Sequence, residues 1–431
     1  MGLNGQHETN TGTPPMAFIP FAAATTAVHR RGTASAQHRG PLCATPYYAH
    51  MPALAVRARA FVTGTAATTS PLSAAPALRQ ARRSWMRMGP RQSQIAVITG
   101  ASSGIGLYAA KTLASAGNWH VILACRDVGR AEQAAAQSQL PRDAYTVLPC
   151  DLASFESVQA FARNLTGQAG VDHVDALVCN AAIWHPRDKK PRFTVDGIEE
   201  TAQVCHLSHV LLCQELLPKL KTSRGRVVFL TTQTHSPGTL PGMIPPQANL
   251  GDMSGLARGL GPDTTGMMDN GPFEPTKAYK DAKAANVLTM RAMNARFSKD
   301  GVTSVAVFPG CVADTNLFRE KRAWFRRLFF PLLQKYVTRQ YVPNEEAGRR
   351  VAEVASQGTF SDSGSYYQWR GNYFAGRERT RPEVIQPTTE VVKADRLYEL
   401  SLEVIDRALR KKREARPSTG RLDYRSLAGA T

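Results

Sequence analysis

A chain of 431 residues with 43% apolar and 20% charged side chains is long enough for one large globular domain or two ordinary ones, which excludes a disordered, fibrous or small disulfide-stapled protein. The formal net charge is +19, but its excess is uneven: Met1 to Gln94 carry ten Arg, no Lys and one acid, Glu8. The longest apolar run, residues 16–28 (MAFIPFAAATTAV), is too short to span a bilayer, so no transmembrane helix is expected.

Residues 1–92 are rich in Ala, Thr, Ser, Pro and Gly and have no sustained apolar period. An Arg-rich, acid-poor, hydroxyl-rich leader predicts an organelle transit segment, with a disordered basic tail as the alternative. From Ile95 the pattern becomes short apolar runs separated by helical stretches. Strands are predicted at 95–99 (IAVIT), 120–125 (HVILAC), 145–150 (YTVLPC), 176–180 (ALVCN), 226–231 (RVVFLT), 303–308 (TSVAVF) and 365–369 (SYYQW). Most are continuously apolar, as strands buried on both faces must be. Helices are predicted between them, among others at 104–117, 154–166, 197–220 and 276–297, and an amphipathic helix over 389–413. This alternation predicts an α/β fold, a Rossmann-like doubly wound parallel sheet in a single domain over 93–413, followed by a tail over 414–431.

The first strand runs directly into ITGASSGIG and then a helix. Gly100, Gly104 and Gly106 permit a tight turn and close backbone approach to a pyrophosphate; Ser102, Ser103 and Ile105 share the loop. After the second strand, Arg126 stands where an NAD-selecting site carries an acid, and Arg130 lies one turn on. Two cations suit a 2'-phosphate, so NADPH is the expected cofactor. Asp151 and Leu152 end the third strand near the expected adenine, and Asn180, Ala181 and Ala182 follow the fourth with small residues that leave room for the cofactor. Tyr279 and Lys283, four apart in KAYKDAKAAN, share a helix face. Alone that spacing is a weak motif.

Together TGASSGIG, CNAA, YKDAK and PGCVAD resemble the short-chain dehydrogenase/reductase family over about 95–360. Longer stretches, HVILACRD, KAYKDAKAANVLTM, PGCVADTNLFRE and EEAGRRVAEV, are similar to its light-dependent protochlorophyllide oxidoreductases over roughly 93–405. The resemblance implies that Tyr279 passes a proton. It implies that Lys283 holds the nicotinamide ribose and lowers the tyrosine pKa, and that Pro309 and Gly310 border the cofactor. Thr232 stands in for the family serine, 47 residues before Tyr279 because of an insertion over about 235–275. The implied reaction is NADPH-dependent, light-driven reduction of the C17–C18 double bond of protochlorophyllide in a plastid, with Cys311 or water as other proton routes. Cys205 occupies the place of a family asparagine that anchors a helix distortion, and a thiol is a poor substitute as donor and acceptor. That departure keeps two alternatives open: a light-independent reductase of another bulky apolar substrate, a retinoid or different tetrapyrrole, and a pigment- or NADPH-binding paralogue without turnover.

The seven cysteines form no Cys-x-x-Cys pair and are expected as reduced thiols. Cys205, His206, His209 and Cys213 are close in sequence, yet no metal is expected. The basic aromatic stretch 318–336 is read first as a lid and second as peripheral contact with a plastid membrane; nucleic acid is not an expected partner, and a homo-oligomer is compatible with the sequence. Phe273, Tyr366, Tyr367 and Trp369 are candidates for either pocket lining or core.

Overall fold

The computed structural model describes residues 93–415, apart from 169, 237–238, 313–316, 318–319, 321–329, 338–339, 371–372, 374–380 and 386–390. The predicted leader, the C-terminal tail from 416 and most of the predicted lid stretch lie outside the described residues.

Seven strands stand close to their predicted places: β1 (Gln94–Thr99), β2 (Trp119–Cys125), β3 (Tyr145–Pro149), β4 (Ala176–Cys179), β5 (Arg226–Leu230), β6 (Thr303–Phe308) and β7 (Tyr366–Arg370). They form one parallel array in the order β3-β2-β1-β4-β5-β6-β7. An eighth strand, β8 (Arg381–Ile385), was not anticipated and pairs antiparallel with β7 at the edge. The helices are α1 (Gly104–Ser115), α2 (Val128–Gln137), α3 (Phe155–Thr166), α4 (Ser208–Ser223), α5 (Pro275–Phe297), α6 (Asn344–Ser356) and α7 (Val391–Glu414).

Burial on both faces explains the apolar strands. One cluster packs Leu177, Phe229 and Ala306 against α3, α4, α5 and α7. The other packs Ala96, Val121 and Val305 against α1, α2 and α6. The sheet is therefore doubly wound, and its strand order reverses between β1 and β4, which opens a crevice at the strand carboxyl ends.

The predicted helix over 197–220 is corrected. It begins as a short turn, Glu200–Ala202, widens to a π turn, Gln203–Leu207, and becomes α4 only at Ser208. The candidate pocket aromatics divide: Tyr366 and Tyr367 are both buried in core, on opposite faces of the sheet. No helix among the described residues is long and apolar enough to cross a membrane.

Candidate active site

The glycine loop leaves β1 with Gly100 at φ +66° and Gly104 at φ +58°, values that favour glycine. Gly106 is needed for a different reason: a Cβ there would lie 2.5 Å from Asn180 Nδ2 and 3.0 Å from the Gly100 carbonyl. Asn180 Nδ2 donates to the Thr99 carbonyl (2.7 Å), so the end of β4 fixes the loop after β1. The Thr99 hydroxyl accepts from the backbone N–H of Asn180 and of Ala181, each at 3.0 Å. Helix α1 starts with no acid in its first turn and no side-chain cap from Ser103, so its N-terminal N–H groups and dipole suit an anion.

Arg126 and Arg130 are exposed just past β2, where Asp127 accepts from the Arg130 N–H to start α2. Asp151 is engaged locally, accepting from the Ala153 N–H at 3.0 Å, while Leu152 is buried. This set fits a nicotinamide dinucleotide: a cradle that a Cβ would fill, a helix N-terminus and exposed cations beyond β2.

Tyr279 and Lys283 lie on α5, started by Pro275 and by Glu274, whose carboxylate accepts from the Lys277 N–H. Lys283 is buried, donates to the Leu230 carbonyl (2.9 Å), and places its ammonium 5.8 Å from the centre of the Tyr279 ring. The expected lowering of the tyrosine pKa is not found. Burial drives the Tyr279 phenol upward, and the Cys205 and Cys311 thiols push it the same way. Burial lowers the Lys283 pKa. Tyr279 is therefore held protonated, a state that can donate. Trp184 covers it, ring centres 6.0 Å apart.

Thr232 caps a short turn, its hydroxyl accepting from the Thr234 hydroxyl at 3.3 Å. The next residue, Gln233, donates to Gln368 Oε1 (2.7 Å) and accepts from Gln340 Nε2 (2.5 Å). Gln340 in turn accepts from the Cys311 N–H at 2.8 Å. One chain of amides therefore joins the Thr232 turn to Cys311. Burial pushes the Cys311 thiol up to about 12, so it stands as a thiol. Pro309 is tied down by Arg350, which donates to its carbonyl at 2.9 Å.

Cys205 corrects an expectation. Its thiol accepts from the Ile183 N–H (3.3 Å) and donates to the Ile183 carbonyl (3.5 Å), so it acts as both donor and acceptor. Its own carbonyl, at the centre of the π turn, accepts from Asn286 Nδ2 (3.0 Å) and His209 Nδ1 (3.3 Å). The helix distortion thus persists with cysteine in this place. Because the pocket is fully buried and fitted to sulfur, Cys205→Asn is expected to lower stability by about 1–3 kcal/mol, the usual cost of overpacking. Thermal unfolding of that variant beside Cys205→Ser would show it; an unchanged or raised midpoint for the asparagine would refute it.

His206 and His209 do not converge. His206 Nδ1 donates to Asn286 Oδ1 (2.9 Å), whereas His209 Nε2 lies 2.9 Å from the Thr99 hydroxyl. Burial lowers their pKa values to about 4 and about 3, so both are neutral near pH 7. Among the described residues no three His, Cys, Asp or Glu gather as metal ligands. Trp184, Asn286, Gln233, Gln340 and Arg350 escaped the sequence reading, since each acts through a distant partner. Only Arg350 carried a local signal, its spacing of four from Glu346 in EEAGRR.

Residues 94–239 match the short chain dehydrogenase family model. A chloroplastic protochlorophyllide reductase of Chlamydomonas reinhardtii is 44% identical over 73% of this chain and 78% of its own length. The chloroplastic protochlorophyllide reductase B of Hordeum vulgare is 44% identical over 72% of this chain and 78% of its own. The chloroplastic reductase A of Arabidopsis thaliana is 43% identical over 72% and 76%.

Proposed function

The chain belongs to the protochlorophyllide reductase family of short-chain dehydrogenases, and from that premise we propose that it reduces protochlorophyllide to chlorophyllide in a plastid, driven by light absorbed by the bound pigment. Gly100 to Gly106 would hold NADPH along the glycine loop, with Arg126 and Arg130 recognising its 2'-phosphate, and the bound cofactor would supply the hydride. The observation that carries the reading is the half-buried, protonated Tyr279 beside Lys283, in a chain this similar to named reductases.

Each residue has a chemical task. Asn180 and Thr99 fix the loop that receives the pyrophosphate. Lys283, which donates to the Leu230 carbonyl, would hold the nicotinamide ribose. Tyr279 delivers the proton that completes reduction of the double bond; Thr232 and Cys311, joined through Gln233 and Gln340, frame the reacting face. The thiol at position 205 is hydrogen-bonded to the Ile183 backbone and so supports the π turn, which favours the reductase over a paralogue without turnover.

The test is spectroscopic. The protein is mixed with NADPH and protochlorophyllide in darkness, flashed with red light, and its absorbance recorded before and after. A red shift to chlorophyllide that requires light is expected; a bound pigment whose spectrum never changes would overturn the reading. In the same assay Arg126→Ala is expected to weaken NADPH affinity by about tenfold while leaving NADH affinity unchanged, the loss of one exposed charge-assisted contact being about 1.5 kcal/mol. Equal loss for both cofactors would remove Arg126 from phosphate recognition.

A further inference from the structure

The insertion between β5 and α5 is fastened to the helix that carries Tyr279, and the fastening residues interleave with the catalytic pair. Lys280 is only 5% exposed and makes no ion pair among the described residues; its ammonium donates to the Ile244 carbonyl (2.7 Å) and the Pro246 carbonyl (2.8 Å). Lys277 donates to the Asn249 carbonyl (2.7 Å) and bridges Asp269 (2.8 Å) and Asp281 (2.6 Å). The buried Asp281 accepts in turn from the Asn249 N–H at 2.8 Å. Burying an ammonium with neutral carbonyls as its hydrogen-bond partners is unfavourable, so such a group is retained for what it holds. Here it holds backbone 34 and 36 residues away.

What it holds belongs to the insertion. The insertion meets the long loop after β4: the Glu199 N–H donates to the Leu260 carbonyl (3.0 Å), and a Cβ on Gly266 would lie 3.1 Å from both Pro191 and Glu199. That same loop brings Trp184 over Tyr279. Both excursions leave the carboxyl ends of adjacent strands, where an open α/β sheet receives its substrate. Met243 and Ile244, 47% and 64% exposed, give this segment apolar surface.

We propose that Lys280 and Lys277 are positioning residues that hold Ile244–Asn249 as the substrate-side wall of the site, and so govern acceptance of a large flat apolar substrate rather than the rate of its reduction. The substrate half of this rests on the protochlorophyllide reading; the fastening does not. The experiment uses the full chain as wild type, Lys280→Met, Lys280→Arg and Lys277→Met, with circular dichroism to establish folding. Limited proteolysis without pigment comes first. Cleavage within 244–249 is expected to quicken at least tenfold in Lys280→Met and to be restored toward wild type in Lys280→Arg. With pigment, Lys280→Met is expected to raise the protochlorophyllide KM about tenfold, to keep kcat within about threefold and to leave the NADPH Kd unchanged, the pattern of lost uniform binding. Equal protection of the insertion in all variants would overturn the fastening. Faster cleavage with unchanged KM would overturn its role toward substrate. If wild type does not reduce protochlorophyllide, the reductase reading fails on its own, and the proteolysis still decides the fastening. If Lys280→Met does not fold, Lys277→Met decides both arms by the same criteria.

Discussion

Replacing Tyr279 by Phe is expected to lower turnover by about 10²–10⁴-fold, the usual contribution of a positioned proton donor, while cofactor and pigment still bind. The substitution removes one hydroxyl and leaves the ring that Trp184 covers at 6.0 Å, so the wall of the site survives. The sign of the pKa shift matters to the pH profile. Burial raises the phenol above its ordinary value, so the donor stays protonated as pH rises, and Tyr279 causes no loss of rate up to about pH 10. Burial acts oppositely on Lys283, whose lowered pKa brings loss of its charge within reach on the alkaline side. An alkaline fall in rate is therefore assigned to Lys283. Single-turnover absorbance after a flash, across pH, measures both effects. A Tyr279→Phe protein that keeps its rate within about threefold would transfer the proton's source to Cys311, in which case Cys311→Ser would carry the loss, or to solvent, in which case it would not.

The strands were legible because burial on two faces demands unbroken apolar runs; TSVAVF maps directly onto β6. β8 was missed because RPEVI has the wrong chemistry for a central strand. Its proline is tolerated at an edge, where a missing donor disrupts no inner ladder. The π turn left no mark on the apolar period, which one extra residue barely disturbs; only the resemblance pointed to a helix distortion at Cys205. In the site, the glycine loop and the Tyr279–Lys283 spacing were local patterns and could be read. Partners such as Thr99 and His209, 110 residues apart, could not, since only the folded sheet brings them together. Cys205 shows the same limit: the thiol was weighed against an amide by its chemistry, while the Ile183 backbone that satisfies it is set by a loop 22 residues earlier. The tyrosine pKa was anticipated from a nearby cation alone, whereas desolvation proved the larger influence.

Arg350→Met is expected to cost about 3 kcal/mol, at the lower end of what breaking a buried ion pair costs, and so to lower the melting temperature by roughly 4–5 °C for a domain of this size. Arg350 is 2% exposed; its Nε donates to Glu346 Oε1 at 2.9 Å, its Nη1 to the Pro309 carbonyl at 2.9 Å, and its guanidinium lies 5.0 Å from the Trp369 ring centre. Methionine fills much of the volume but supplies no donor, leaving the Pro309 carbonyl unpaired. The buried Glu346 still keeps Arg349, which places the cost at the lower end. Burial alone would raise the Glu346 carboxyl, but Arg349 and Arg350 hold it below its ordinary value. A depressed acid contributes stability above its unfolded pKa and loses it as pH falls through the folded one. Wild type should therefore lose this contribution under acid conditions, and Arg350→Met should lose less, because its carboxyl is less depressed. Adding Glu346→Gln should recover part of the deficit by removing the undercompensated charge. The effect should also reach the cofactor, since Pro309 and Gly310 lose their anchor: NADPH affinity is expected to weaken several-fold. Thermal melts at neutral and acid pH, with NADPH titrations, measure these together. A melting temperature within about 2 °C of wild type would show that Arg350 anchors nothing of consequence, and unchanged NADPH affinity in a destabilised protein would confine its role to the packing of α6.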